Sequence, residues 1–412
     1  MEKAPVFYGW RIVQASVVIA FVSWSFALYG PSVYLNALSQ THGWSMGEIS
    51  LALTMSFLAN AFSIGFVGSM VGRYGSRILM AVGAVLMATG LILIGQITAV
   101  WQAFIVFPIM GIGWSCLSTI AITSTIAPWF ERHQGKALST ALLGASLGGM
   151  FGVPISLFFV TNLGLAWAML VIGSLVLLII VPLSLLVLRR RPQDIGLLPD
   201  GLAPVTSTSS TPIKTKTWGR KEALKTYALR SVIIAFGLGL MVQVGFLSQQ
   251  VKLLQNYTSA TGISLTVLAS GTLAFLGRII LARHADRINI RHAAGLVLGS
   301  SAFGMLVMAF SNSGATVILG LLIFGFNVGN LTTLPALIVR REFGAASFGR
   351  VFGFSGSLMQ FVTALGPAFF GILRDIAGNY TLSLLIAASL LLTSTLFVMH
   401  GQWRAPFRLE RD

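Results

Sequence analysis

The chain has 412 residues, 55% of them hydrophobic and 9% charged, with a mean hydropathy of +0.85, whereas a soluble domain carries roughly a quarter of its residues as Asp, Glu, Lys and Arg. Water is therefore not its main solvent. The formal charge of +16 does not mark a nucleic-acid partner, because the basic residues sit in alternate short polar loops and do not cluster as a phosphate-binding surface would.

A run of about 20 apolar residues crosses the hydrocarbon core as a helix. Such runs predict spans over Arg11–Leu38, Met46–Val71, Ile78–Gln96, Val100–Trp129, Ala137–Thr161 and Gly164–Leu188. A second six are expected over Arg230–Gln250, Gly262–Ala282, His292–Ser311, Ala315–Ile338, Val351–Leu373 and Asn379–His400. The first run is too long for a signal-peptide core and lacks a small-residue cleavage site, so it is expected to be retained. Cys116 lies alone in an apolar run, which allows no internal disulfide. The expected class is an all-α membrane protein of twelve transmembrane helices. Its domains are an N-terminal six-helix bundle (1–188), a cytoplasmic linker (189–229) and a C-terminal six-helix bundle (230–412). The linker opens on Arg189-Arg-Arg-Pro192 and contains a Ser/Thr run between Val205 and Pro212, a composition with almost no core that reads as flexible.

Arg73, Arg77, Arg132, Lys136, the 189–230 segment, Arg283, Arg287, Arg291, Arg340, Arg341, Arg350 and Arg404, Arg408 and Arg411 all fall on one side of the expected spans. Only Lys252 and Arg374 fall on the other. The positive-inside rule then places both termini in the cytoplasm of a multi-pass plasma (inner) membrane protein.

Self-similarity carries the most information. Gly68-Ser-Met-Val-Gly72-Arg73-Tyr-Gly-Ser-Arg77 matches Ala282-Arg-His-Ala-Asp286-Arg287-Ile-Asn-Ile-Arg291 in its basic positions, at a separation of 214 residues. The same separation relates Gly111 to Gly325 and Gly135-Lys136 to Gly349-Arg350, while Pro154 and Pro367 lie 213 apart. Two similar six-helix halves follow. Six is even, so they are like-oriented, the arrangement of parallel-repeat transporters.

The Gly68–Arg77 loop resembles the Gly-x-x-x-Asp-Arg-x-Gly-x-Arg signature of the major facilitator superfamily, with Gly72 where the Asp is expected. The second copy keeps Asp286 and Arg287 but has Ala282 and Asn289 in place of two glycines. Further motifs resemble the monocarboxylate-transporter and oxalate/formate-antiporter branch. They are Tyr8-Gly-Trp10, Trp129-Phe-Glu-Arg132 with Gly135-Lys-Ala137, Arg191-Pro-Gln-Asp-Ile-Gly196 with Pro199-Asp-Gly201, and Gly366-Pro367 with Gly371 and Asp375 through Tyr380.

Every acidic residue, from Glu2 to Asp412, falls in a loop or at a span end, so Arg278, inside the eighth span, is the exceptional charge. An arginine at a helix centre costs roughly 2.5–3.5 kcal/mol on insertion scales and usually faces a cavity or a partner. The resemblance implies that an arginine eight residues before the loop Asp, here Arg278, binds a substrate carboxylate, for which a guanidinium fork is suited. The bland alternative is an arginine snorkelling to the interface. Mammalian members usually place an Asp one turn earlier, where this chain has Ala274, and the antiporters add a lysine in the eleventh span, where it has Gln360; one buried cation suits a monoanion.

Tyr29, Trp114, Gln243, Asn327 and Gln360 are candidates to line a central site, each with helix packing as its alternative. Arg73, Arg77, Asp286 and Arg287 are expected to gate, or else simply to set topology. The stripe Gly144-x-x-x-Gly148-x-x-x-Gly152 reads as a helix-packing and hinge face. Gly135-Lys136 lacks the remaining residues of a phosphate loop, no cofactor or metal is expected, and transport would be secondary. The expected function is alternating-access transport of a small organic anion by a monomer, with proton symport, anion exchange and facilitated diffusion all open. A drug or amphiphile exporter is the rival within transporters. An intramembrane serine protease, suggested by Gly353-Phe-Ser355-Gly356 with His400, is the rival outside them.

Overall fold

The computed structural model describes residues 7–131, 133–201 and 218–401, apart from the side chains of Gly201, Asp286, Ala345 and Ala346. Glu2, Arg132, the Ser/Thr run of the linker, Asp412 and the arginines 404, 408 and 411 lie outside the described residues, as does the side chain of Asp286. Within the described residues every regular element is helical, as it must be where a bilayer offers backbone groups no hydrogen-bond partners.

Eleven helices among them are long and apolar enough to cross a membrane. They are span 1 (Tyr8–His42), span 2 (Met46–Tyr74), span 3 (Ser76–Ile94), span 4 (Val100–Trp129), the helix Gln134–Val187, span 7 (Tyr227–Leu254), span 8 (Ala260–His284), span 9 (Ile290–Ala309), span 10 (Gly314–Phe343), span 11 (Ser347–Ala377) and span 12 (Thr381–Gly401). Gln134–Val187 is two helices, because Gly164 has φ 74° and ψ 167°, which reverses the chain there. With 134–163 as span 5 and 165–187 as span 6 the total is twelve. Lys252 and Arg374, expected in loops, close the last turns of spans 7 and 11 instead.

Spans 1, 4 and 11 are interrupted along their length, and span 6 ends in a π-helical turn over Leu183–Val187. Span 1 contains a π-helical turn over Ser25–Tyr29, with Gly30 N–H donating to Ser25 O at 2.8 Å, before Pro31 restarts the helix. Span 4 breaks at 116–118, where Cys116, Leu117 and Ser118 donate to the carbonyls three residues back. Span 11 breaks at Leu365, just before Gly366-Pro367. Proline has no N–H to give, so the breaks at Pro31 and Pro367 need other partners.

The chain forms two compact units, Met1–Ala37 with Met55–Pro212, and Leu38–Thr54 with Ile213–Asp412. Small residues bring helices into backbone contact within each. In the first, a Cβ added at Gly111 would lie 2.1 Å from Ser56 O; in the second, one added at Gly325 would lie 2.1 Å from Ser270 Oγ. Ser56 and Ser270 are themselves 214 residues apart, so the repeat extends from single positions to contacts. Gly90 against Met110 N and Gly304 against Phe324 N form a second pair at the same separation. The Gly144/Gly148/Gly152 stripe packs span 5 on span 1, with Gly144 over Val17 O and Gly152 over Ser25.

Candidate functional site

Arg278 is half-buried in span 8, and its Nη2 donates to two oxygens of span 10, Gly329 O at 3.4 Å and Thr332 Oγ1 at 3.3 Å. The contact requires a glycine, since a Cβ at Gly329 would stand 2.7 Å from Ala274 O and 3.3 Å from Arg278 Nε. Thr332 and Thr333 hydroxyls also donate to Gly329 O, at 2.8 and 3.0 Å. Bonds to neutral oxygens near the distance limit are weak. They orient Nη2 toward span 10.

The other candidates are placed as follows. Asn327 is buried and donates to Ser300 Oγ of span 9 and to Ile323 O, both at 3.0 Å. Gln243 is buried, its Oε1 without a hydrogen-bond partner among the described residues, and Gln360 is half-buried. In the first unit, Trp114 meets Trp24 and Phe57 edge-on at 6.0 and 5.8 Å. Its buried Nε1 has no partner among the described residues. Tyr29, in the π-helical turn, lies against Gly149, where a Cβ would stand 2.9 Å from its ring. Arg278, Thr332 and Gly329 are thus brought together, whereas Asn327 is spent on a span 9–span 10 contact.

Of the four gating candidates, Arg73 covers the Tyr74 ring at 5.3 Å, Arg77 donates to Leu185 O of span 6, and Arg287 is exposed. Asp286 lies in the short 3-10 turn Ala285–Arg287. The loop carbonyls in both repeats are held by arginines: Arg190 donates to Gly72 O, and Arg341 to Ala285 O.

Sequence reasoning missed a buried ion pair. Arg291, counted as a loop cation, is 2% exposed and paired with Glu342 of span 10. Its Nε and Nη2 bind Glu342 at 2.5 and 2.8 Å, Nη1 donates to Ser231 Oγ and Val398 O at 2.9 Å, and Nη2 also reaches Ala228 O at 3.0 Å. One signal was available. Glu342 is an acid at the otherwise basic end of span 10, beside Arg340 and Arg341. Arg77, the repeat mate of Arg291, likewise donates to the end of its sixth helix but has Pro128 at the position matching Glu342.

Two sets of the sequence motifs come together, each within its own unit. In the first unit Trp129 and Phe130 pack edge-on or tilted against Tyr8 (5.7 Å) and Trp10 (5.2 Å), Tyr8 donates to Val187 O at 2.8 Å, and Glu131 N–H donates to Asp200 at 2.9 Å. In the second, Asp375 accepts from Gly47 N–H at the start of span 2 at 2.6 Å, where a carboxylate is favoured by the helix dipole. Tyr380 donates to Gln249 at 2.9 Å and Gln249 to Ser50 at 2.7 Å. Burial pushes the Tyr380 phenol above its ordinary range. Thr54 accepts the Ala368 N–H left over after Pro367, at 3.0 Å.

The protease constellation is not assembled. Ser355 is buried and donates to Phe352 O, while His400 packs edge-on against Tyr227.

Twelve apolar helices in two repeated sets, with an arginine set inside one of them, define a polytopic membrane protein of transporter type. Residues 15–367 match the family model described as Major Facilitator Superfamily, and the chain belongs to that family. It is similar to MFS-type transporter 1 of an Ophiocordyceps species (26% identical, covering 95% of this chain and 85% of that protein). It is also similar to monocarboxylate transporter 11 of Mus musculus (25%, 97% and 88%) and to the aspyridones efflux protein of Emericella nidulans (24%, 77% and 62%). Among solved structures, that of a D-xylose-proton symporter superimposes with a TM-score of 0.77 over 95% of this chain and 97% of the other, at 13% identity, a likeness of fold. The fold is that of the major facilitator transporters, two parallel six-helix halves.

Proposed function

We propose that the chain is a secondary transporter of a small organic anion, a monocarboxylate, working by alternating access with Arg278 as the anion-binding group. The carrying observation is the half-buried guanidinium inside span 8, a cation set in an apolar helix and oriented by Gly329 and Thr332 of span 10. The similarity to monocarboxylate transporters supports the same substrate class. In this reading the residues 1–188 and 230–412 are the two moving bundles, Arg73, Arg77, Asp286 and Arg287 gate the side of the basic loops, and that side faces the cytoplasm of the plasma membrane. The unit of function is a monomer, driven by protons or by exchange.

Uptake of labelled pyruvate into proteoliposomes tests it. A hydrogen bond to a charged group is worth about 1.5–3 kcal/mol, so Arg278→Ala should lower kcat/KM by at least about tenfold. Uptake by the variant equal to that of the parent refutes the anion site. A second reading, export of larger amphiphiles, is favoured by the Trp24, Trp114 and Phe57 cluster and by the efflux protein among the relatives. It requires transport that survives Arg278→Ala and fails in Trp114→Ala.

A further inference from the structure

The second unit holds a cavity of about 140 Å³ whose lining includes Lys252, Arg374, Asn379 and Tyr380. Lys252 closes span 7 and Arg374 closes span 11, and these are the two cations that fall on the face opposite the basic loops. Lys252 makes no hydrogen bond among the described residues. Arg374 Nη1 donates to Asp375 Oδ1 at 3.1 Å, and the other oxygen of Asp375 is held by Gly47 N–H. Arg374 is therefore paired with a carboxylate, and Lys252 adds a second cation to the lining with no carboxylate bonded to it among the described residues. Two like charges around a small space repel one another unless an anion sits between them.

The rest of the lining narrows the chemistry. Met308, Val317 and Leu384 add an apolar surface, which inorganic ions do not need and a short carbon chain does. Asn379 uses its Oδ1 to accept from Thr381 N–H, so its amide N–H groups are the atoms left for an anion. A cavity of about 150 Å³ accepts benzene, six heavy atoms, the same number as in a three-carbon keto acid.

We propose that this cavity is a second binding site, for short-chain carboxylates, that captures the anion at the face opposite the basic loops before it reaches Arg278. The ligand class and the role rest on the transport reading above; the site itself does not depend on Arg278.

The test uses the full-length protein in phosphatidylcholine nanodiscs. Lys252 acylation by a water-soluble amine-reactive ester is read by peptide mass spectrometry, with sodium pyruvate or sodium chloride at equal ionic strength. Pyruvate at twice its dissociation constant should slow Lys252 acylation about threefold, equally in the parent and in Arg278→Ala. Arg374→Gln should remove the protection and Arg374→Lys should retain it. Protection absent in the parent, or matched by chloride, overturns the site. A further arm replaces part of the lipid by phosphatidylglycerol: if anionic lipid alone protects Lys252 and pyruvate adds nothing, the occupant is a headgroup and the carboxylate site is overturned. Pyruvate uptake that depends on Arg278 without protection of Lys252 sinks only the outer site. Protection without Arg278-dependent uptake sinks only the transport reading.

Discussion

Replacing Glu342 by Leu leaves Arg291 as a cation 2% exposed with no carboxylate. A guanidinium has five N–H donors, and here its nitrogens make five hydrogen bonds, two to Glu342 and three to Ser231, Val398 and Ala228. The variant keeps only the three to neutral oxygens. Breaking a buried pair by removing one partner costs about 3–5 kcal/mol. In a unit of roughly 200 residues each kcal/mol moves Tm by about 2–4 °C, so the expected loss is about 6–20 °C. Arg291→Met with Glu342→Leu removes both charges and should recover most of that loss, because replacing a buried pair by apolar residues is often neutral or stabilising. Thermal unfolding of the purified protein in detergent, followed by tryptophan fluorescence, measures all three proteins. A single variant within about 2 °C of the parent, or a double variant as unstable as the single one, refutes the account of a desolvated pair.

Gly111→Ala and Gly325→Ala each drive a methyl to 2.1 Å from a serine oxygen. Overpacking of this kind costs about 1–3 kcal/mol, seen as similar drops in Tm, whereas Gly353→Ala, with nothing within 4 Å, should leave Tm unchanged or higher. Equal effects at all three positions would remove the argument from contact. Asn289 accepts from the N–H groups of Arg291 and His292 at the start of span 9, so Asn289→Ala should cost about 1 kcal/mol, read in the same melts. Asp375→Asn keeps the size of the side chain but loses the charge on the Gly47 N–H; hydrogen exchange at the start of span 2 should accelerate, and unchanged exchange counts against a docking role.

How much of this was readable beforehand depended on the range of the interaction. Span positions follow from runs of about 20 apolar residues, a local property, and the boundaries differ by a few residues, as at span 7. The repeat was legible because Gly111 and Gly325 keep a fixed separation, yet their partners Ser56 and Ser270 are ordinary residues in a sequence and emerge only from the packing. The π-helical turn before Pro31 and the break at 116–118 carry no periodicity signal. Arg278 stood out because it interrupts an apolar run. Arg291 did not, since it sits in a basic loop pattern and its partner is 51 residues away. Asn327 was a reasonable candidate by depth alone, but depth does not say which face of a helix a side chain occupies, and the structure gives it to Ser300.

The ties made by Arg291 join the ends of spans 7, 9, 10 and 12 at a single point. Parting span 9 from span 10 would strand a charge away from water, and sliding span 7 or span 12 would break hydrogen bonds to the same guanidinium. Spans 8 and 11 are outside this knot, and they are the helices that carry Arg278 and Arg374. The knot thus couples four helices of the second unit without involving either of those two cations.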